Sequence, residues 1–213
     1  MSARAAIVIP IRSLTDGKTR LSPVLDPAAR SALTREMLER VVRAALGTVS
    51  RAEVVVISPD ANVLAEVGCI DPSIRVMLQD PNRPGLNPAL EQAAAAVRAA
   101  GVSTVLILPA DLPLISTADI DNLLRRDAPV VIAPDRHRSG TNALMVRLDA
   151  FGEPFVFRFG EGSYGKHLDE ASQLGVDAMT AVSLGTSFDL DTPDDLRQLE
   201  EMRLGSETGQ AAR

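Results

Sequence analysis

Residues 105–114 read Val105-Leu106-Ile107-Leu108-Pro109-Ala110-Asp111-Leu112-Pro113-Leu114. Val105 to Leu108 are apolar at consecutive positions, so neither face of the strand can point to water. Such a run belongs inside a sheet covered by helices on both sides, with Asp111 following its end. Working outward, Ala6 to Ile9, Val54 to Ile57, Ile74 to Leu78 and Val130 to Ala133 repeat the pattern. Between them Pro27 to Leu46, Asn87 to Ala100 and Thr117 to Arg126 have helical period, opened by the capping pairs Asp26-Pro27, Asn87-Pro88 and Ser116-Thr117. This alternation predicts an α/β protein with a mostly parallel, doubly wound sheet. After about Asp135 the rhythm changes to a Gly-rich stretch. Short strands are expected around Asn142 to Val146 and Val156 to Phe159, then a helix over Ser163 to Leu174, as a lobe on the same sheet. The expected organisation is one domain over residues 1–204, with a polar tail, 205–213, lacking structure.

Composition narrows the function classes. The chain has 213 residues, 46% of them apolar and 3% aromatic, enough for one large aliphatic core. A formal charge of -6, with no Arg/Lys run interleaved with aromatics, argues against a nucleic-acid partner. A polyanionic substrate must then be met by local cations and metal. Cys69 is the single cysteine, so neither an intrachain disulfide nor a cysteine metal cluster can form, and a small buried side chain is expected there. The apolar start ending at Pro10 is too short for a signal-peptide core, and no run approaches a membrane span. The expectation is a cytoplasmic protein without a membrane partner.

The segment Asp189-Leu190-Asp191-Thr192-Pro193-Asp194-Asp195 carries a second acidic group. Asp189 and Asp191 lie two apart on what reads as a strand end, so both side chains can leave on one face. Together with Asp111 they are candidate ligands of a divalent metal; taken alone, they also fit a solvated turn. Thr192 suits a helix N-cap, Pro193 the first helical position, and Asp194 and Asp195 the positive end of the dipole, as structural residues.

Ligands of open parallel sheets gather at the carboxyl ends of strands, where strand order reverses. The loop from Pro10 to Pro23 offers Gly17 for close backbone approach, with Lys18 and Arg20 as charges for a triphosphate. It matches neither a dinucleotide fingerprint nor a Walker loop. In the loop from Gln79 to Asn87, Gln79 and Asp80 have the donor and acceptor variety that a purine edge requires, while Asn87 also suits a plain N-cap. Gly160 and Gly162 flank a helix start capped by Ser163, an arrangement that suits a carboxylate or phosphate, or a structural turn.

In this order the motifs resemble the guanylyltransferase family of coenzyme F-420 biosynthesis. They are Val8-Ile9-Pro10-Ile11 with Gly17-Lys18-Thr19-Arg20-Leu21-Ser22, then Gly85-Leu86-Asn87, Leu108 to Leu114, Ala133-Pro134-Asp135-Arg136, Gly140-Thr141-Asn142-Ala143-Leu144, Phe159-Gly160-Glu161-Gly162-Ser163, His167 and Phe188-Asp189-Leu190-Asp191. Arg12 stands where the family commonly has Lys, and Asp16-Gly17 replaces its usual Ala before Lys18. The resemblance implies a Rossmann-like sheet of the nucleotide-diphospho-sugar transferase type. It implies transfer of GMP from GTP to phosphoenolpyruvate or 2-phospho-L-lactate, with release of pyrophosphate. Lys18, Arg20 and Asp111 would be catalytic; Pro10, Gly17, Lys18, Arg20, Gly85 and Asn87 would bind the nucleotide. Thr141, Gly160 and Ser163 would hold the acceptor, and Asp111, Asp189 and Asp191 would bind Mg2+. The partners implied are GTP, a small phosphorylated carboxylic acid and a downstream transferase, with homodimer formation left open. A nucleotidyltransferase acting on a sugar phosphate or the molybdenum cofactor, and a non-catalytic nucleotide-binding module, are the alternatives.

Overall fold

The computed structural model describes residues 4–210. Its sheet contains β1 (Ala5–Pro10), β2 (Glu53–Ser58), β3 (Arg75–Leu78), β4 (Thr104–Ile107), β5 (Val130–Pro134), β6 (Thr141–Arg147) and β7 (Ala178–Thr180). The strand order is β3-β2-β1-β4-β6-β5-β7. β6 alone among these runs antiparallel to its neighbours.

Strand alternation sorts the core into two layers. Ile7 and Ile9 of β1 face helices α1 (Pro27–Leu46), α2 (Ala61–Gly68) and α4 (Thr117–Leu124). Ala6 and Val8 face α3 (Leu86–Ala99) and α5 (Ser163–Gln173). A third cluster joins Leu21, Leu33, Met37, Phe188, Leu190 and Leu199 beneath the acidic segment. The helix starts follow local chemistry. Asp26 accepts the Ala29 N–H at 2.7 Å, and Ser116 forms a reciprocal capping box with Asp119.

Several sequence expectations need correction. Strand β3 lies at the sheet edge with Val76 and Leu78 exposed, because only β2 pairs with it. Val156 to Phe159 form no strand: side chains of α3 and α5, rather than another strand, take their amides. Gly85, at φ 110°, is the N-cap of α3, which leaves Asn87 inside the first turn. Gly162, at φ 67°, caps α5, and Ser163 is a buried first helical residue. Cys69 is exposed because it follows the last turn of α2.

The short elements α2, β7 and α6 (Leu184–Ser187) were not read from the sequence. Helix α7 (Pro193–Gln210) passes Gly205, the expected start of the unstructured tail. Once a helix is nucleated each further residue adds a hydrogen bond, so Gly205 and Gly209, at ~1 kcal/mol each, need not end it. Residues 211–213 of that tail lie outside the described residues, as do Met1 to Ala3. Among the described residues no helix is long and apolar enough to cross a membrane.

Candidate active site

Strand order reverses between β1 and β4: the chain builds outward to β2 and β3 on one side and to β6, β5 and β7 on the other. A cleft of about 1010 Å3 opens at their carboxyl ends, where an open parallel sheet places its ligand. Its walls include Pro10 at the end of β1, Arg12, Gly17 and Lys18 after it, Gln79, Asp80 and Gly85 between β3 and α3, Leu86 at the start of α3, Asp111 after β4, and Phe159 and Asp191.

Lys18 is the electrostatic centre of this cleft. Its Nζ donates to Asp111 Oδ2 at 3.0 Å and Asp191 Oδ1 at 2.8 Å. Its side chain is 9% exposed, against 37% for Asp111 and 42% for Asp191. Burial alone would lower the Lys18 pKa, but the two carboxylates outweigh it and hold the ammonium above its usual value. The residue adopts φ 55°, a left-handed conformation costing a non-glycine residue ~1 kcal/mol, and strain of this kind collects at functional sites. Gly17 beside it is not required by packing, since a Cβ there would meet nothing closer than 3.7 Å. Arg20 is placed differently: its side chain is 75% exposed, lies outside the cleft wall, and reaches Asp191 only at 3.9 Å.

The acidic segment is brought here by its own alternation. Phe188 and Leu190 are buried, and the Leu190 N–H reaches Asp111 O at 3.4 Å. Phe188 is extended, but the segment has no regular structure and is not a strand of the sheet. Asp189 is half-buried, and its pKa is raised, first by burial and then by the charges of Asp111 and Asp191. Asp194 and Asp195 are structural, as expected. Thr192 Oγ1 accepts the Asp195 N–H at 3.3 Å, while Asp195 Oδ2 accepts the N–H groups of Asp191 and Thr192 at 2.9 and 2.7 Å. Arg136 closes the clamp. It donates to Asp195 Oδ1 at 2.7 Å and to the Asp189 carbonyl at 3.0 Å, and its guanidinium stacks on the Phe188 ring at 4.6 Å. The clamping role of Arg136 was not read from the sequence, although Arg136 stands in one of the motifs that carry the resemblance and Thr192 and Asp195 have the spacing of a capping box.

No preformed three-aspartate cage exists: among the described residues no three Asp, Glu, His or Cys side chains are grouped to hold a metal. The physical reason is charge. Lys18 supplies a cation between Asp111 and Asp191 and occupies an oxygen of each. Their donor set nevertheless fits a hard divalent ion, because Mg2+ is ordinarily held by one or two carboxylates together with substrate phosphates.

The expected acceptor residues are less open than the sequence implied. Thr141 and Ser163 are buried and neither lines the cleft. The Thr141 hydroxyl meets His167 Nδ1 at 2.9 Å, and the Ser163 and Tyr164 N–H groups already bond to the Gly160 and Ser139 carbonyls at 3.1 Å each. Gly160 is exposed at φ 124° with open space where a Cβ would stand. Asn87 is not on the cleft wall either; its carboxamide is spent on Phe159. His167, fully buried, donates from Nδ1 to Thr141, because its Nε2 accepts the Arg158 N–H at 3.0 Å. Burial, then the Arg158 charge, lowers its pKa to about 4. Arg12, Thr34 and Met37 line the cleft without having been read as site residues. The last two sit on α1, and only packing turns them toward the cleft.

The comparisons agree with this architecture. The family described as guanylyl transferase CofC like matches residues 5–211. A phosphoenolpyruvate guanylyltransferase of Rubrobacter xylanophilus is 42% identical over 196 residues, covering 91% of this chain and 92% of that protein. A 2-phospho-L-lactate guanylyltransferase of Methanothermobacter thermautotrophicus is 37% identical over 198 residues, covering 92% and 84%. Among solved structures, a nucleotide-diphospho-sugar transferase fold from Desulfovibrio desulfuricans superimposes with a TM-score of 0.77 at 17% identity, covering 92% of this chain and 86% of that one. The family match across nearly the whole chain, on a sheet whose switch-point cleft is lined by Lys18, Asp111 and Asp191, establishes that this chain belongs to the CofC-like guanylyl transferases.

Proposed function

We propose that this chain transfers GMP from GTP to phosphoenolpyruvate or 2-phospho-L-lactate, releasing pyrophosphate. The observation carrying this reading is the Lys18 ammonium held between Asp111 and Asp191 at the switch point, inside a cleft with room for two ligands.

A phosphate oxygen of the acid attacks the α-phosphorus of GTP in line, and the bond to the β-phosphate oxygen breaks. With a second pKa near ~6, that phosphate is already largely ionised at neutral pH and needs no general base. The obstacle is the approach of two anions. Asp111 and Asp191, with Asp189 beside them, would hold Mg2+, which supplies charge neutralisation to both phosphates. Lys18 and Arg12 neutralise the triphosphate, Arg20 adds charge at the rim, and Pro10, Gly17 and Gly85 let the nucleotide approach the backbone. The Gly160 turn receives the acid's carboxylate through backbone groups, with Thr141 and Ser163 supporting it from within. Residues 5–210 act as one catalytic unit, and the activated diphosphate passes to a downstream transferase.

The test is pyrophosphate release from GTP and Mg2+ with each acid, coupled to the next transferase so that an unstable product is captured. Release should require the acid, and Asp111→Asn, Asp189→Asn and Asp191→Asn should each remove most of it. Release with a sugar phosphate and none with a phosphorylated carboxylic acid would sink this assignment.

A further inference from the structure

Phe159 forms part of the cleft wall, yet it lies in a stretch with no regular structure, Gly152 to Phe159. Its backbone is held by side chains. The Val156 N–H donates to Glu170 Oε1 at 3.1 Å and the Arg158 N–H to His167 Nε2 at 3.0 Å. The Phe159 peptide is gripped from both ends by one carboxamide: its N–H donates to Asn87 Oδ1 at 2.8 Å, and its carbonyl accepts from Asn87 Nδ2 at 3.1 Å. The Phe159 and His167 rings meet edge to face, with centroids 4.8 Å apart.

Asn87 stands in the first turn of α3, directly after Gly85 and Leu86 of the opposite cleft wall. His167 stands on α5 and also holds Thr141 of β6. Neither is part of the cleft wall, and their polar atoms are already engaged by Phe159, Arg158 and Thr141. We propose that Asn87 and His167 are positioning residues: through the Arg158 and Phe159 backbone they fix the wall carrying Phe159 against the wall carrying Gly85 and Leu86. The spacing between the nucleotide and the acid is thereby set. The inference rests on the guanylyltransferase reading. It differs from the sequence expectation, in which Asn87 contacts the nucleotide directly.

Small misplacement of two reacting groups costs up to about a hundredfold in rate. The test is therefore turnover with both substrates saturating, normalised to GTP-binding sites counted by calorimetry, so that a misfolded fraction does not enter. Asn87→Ala should lower kcat about tenfold to a hundredfold while GTP affinity without acid changes little. His167→Gln, whose amide oxygen reaches the Nε2 position, should keep the Arg158 bond and most of kcat. His167→Asn, whose amide reaches only the Nδ1 position, should behave like Asn87→Ala. Because both act on one backbone segment, the double variant Asn87→Ala/His167→Asn should lose little beyond the worse single one. Wild-type kcat in Asn87→Ala, equal behaviour of the two His167 variants, or additive losses would overturn the inference. Asn87 is only half-buried, so its variant keeps the test open even where a His167 variant does not fold. An inactive wild-type protein would instead count against the guanylyltransferase reading.

Discussion

Acidification from about pH 7 to about pH 4 should destabilise this protein partly through one group, His167. The ring is fully buried, and its Nε2 already accepts the Arg158 N–H, so a second ring proton has nowhere to go without breaking that bond. Its pKa in the fold is about 4, from an ordinary 6.5. The unfolded chain therefore binds the proton more tightly, and stability must fall as pH drops. This group's contribution is complete above 6.5, is lost progressively below it, and is gone once pH passes about 4. At ~1.4 kcal/mol for each tenfold difference in proton affinity, the loss is about 3 kcal/mol. Against a typical total stability of ~5–15 kcal/mol that is easily measured. The assay is urea unfolding of the wild type and His167→Gln at several pH values across the window, the difference between them cancelling the carboxylates common to both. With only two histidines in the chain, the His167 ring resonance can be assigned from the same variant and titrated directly. Parallel stability curves, or a ring that titrates near its ordinary value, would refute the reasoning.

Two further outcomes follow from the charge network. Lys18→Met removes the cation between Asp111 and Asp191, so the variant should bind Mn2+ alone more tightly than the wild type by titration calorimetry while using GTP poorly; unchanged metal affinity would show that Lys18 does not compete for those carboxylates. Asp195→Ala strips the Asp191 and Thr192 N–H groups and Arg136 of their shared partner, which should cost about 3 kcal/mol in urea unfolding. Turnover should fall as well, because the Asp189 to Asp191 segment loses its anchor, and a variant with wild-type stability would contradict the clamp.

The buried strands were legible because burial on both faces forces runs such as Val105 to Leu108, and the helices because Asp26-Pro27 and Ser116-Thr117 carry capping chemistry in the chain itself. Val156 to Phe159 misled for a different reason. Their alternation matches a strand, but Glu170, His167 and Asn87 satisfy the amides that a neighbouring strand would have taken. The motif order was enough to indicate the family, and it named Lys18, Asp111 and Asp191 before any geometry.

By itself, then, the sequence determined what short-range physics controls: strand and helix positions, the aliphatic core, the doubly wound sheet and the acidic and basic residues near its carboxyl ends. Only the tertiary structure decided how those residues pair. That Lys18 bridges two aspartates from segments 80 residues apart in the chain, that Arg136 and Asp195 pin the acidic segment, and that Asn87 serves Phe159 rather than the cleft are long-range contacts. Each depends on which strands the sheet places side by side, and no local pattern of residues encodes that distance or direction.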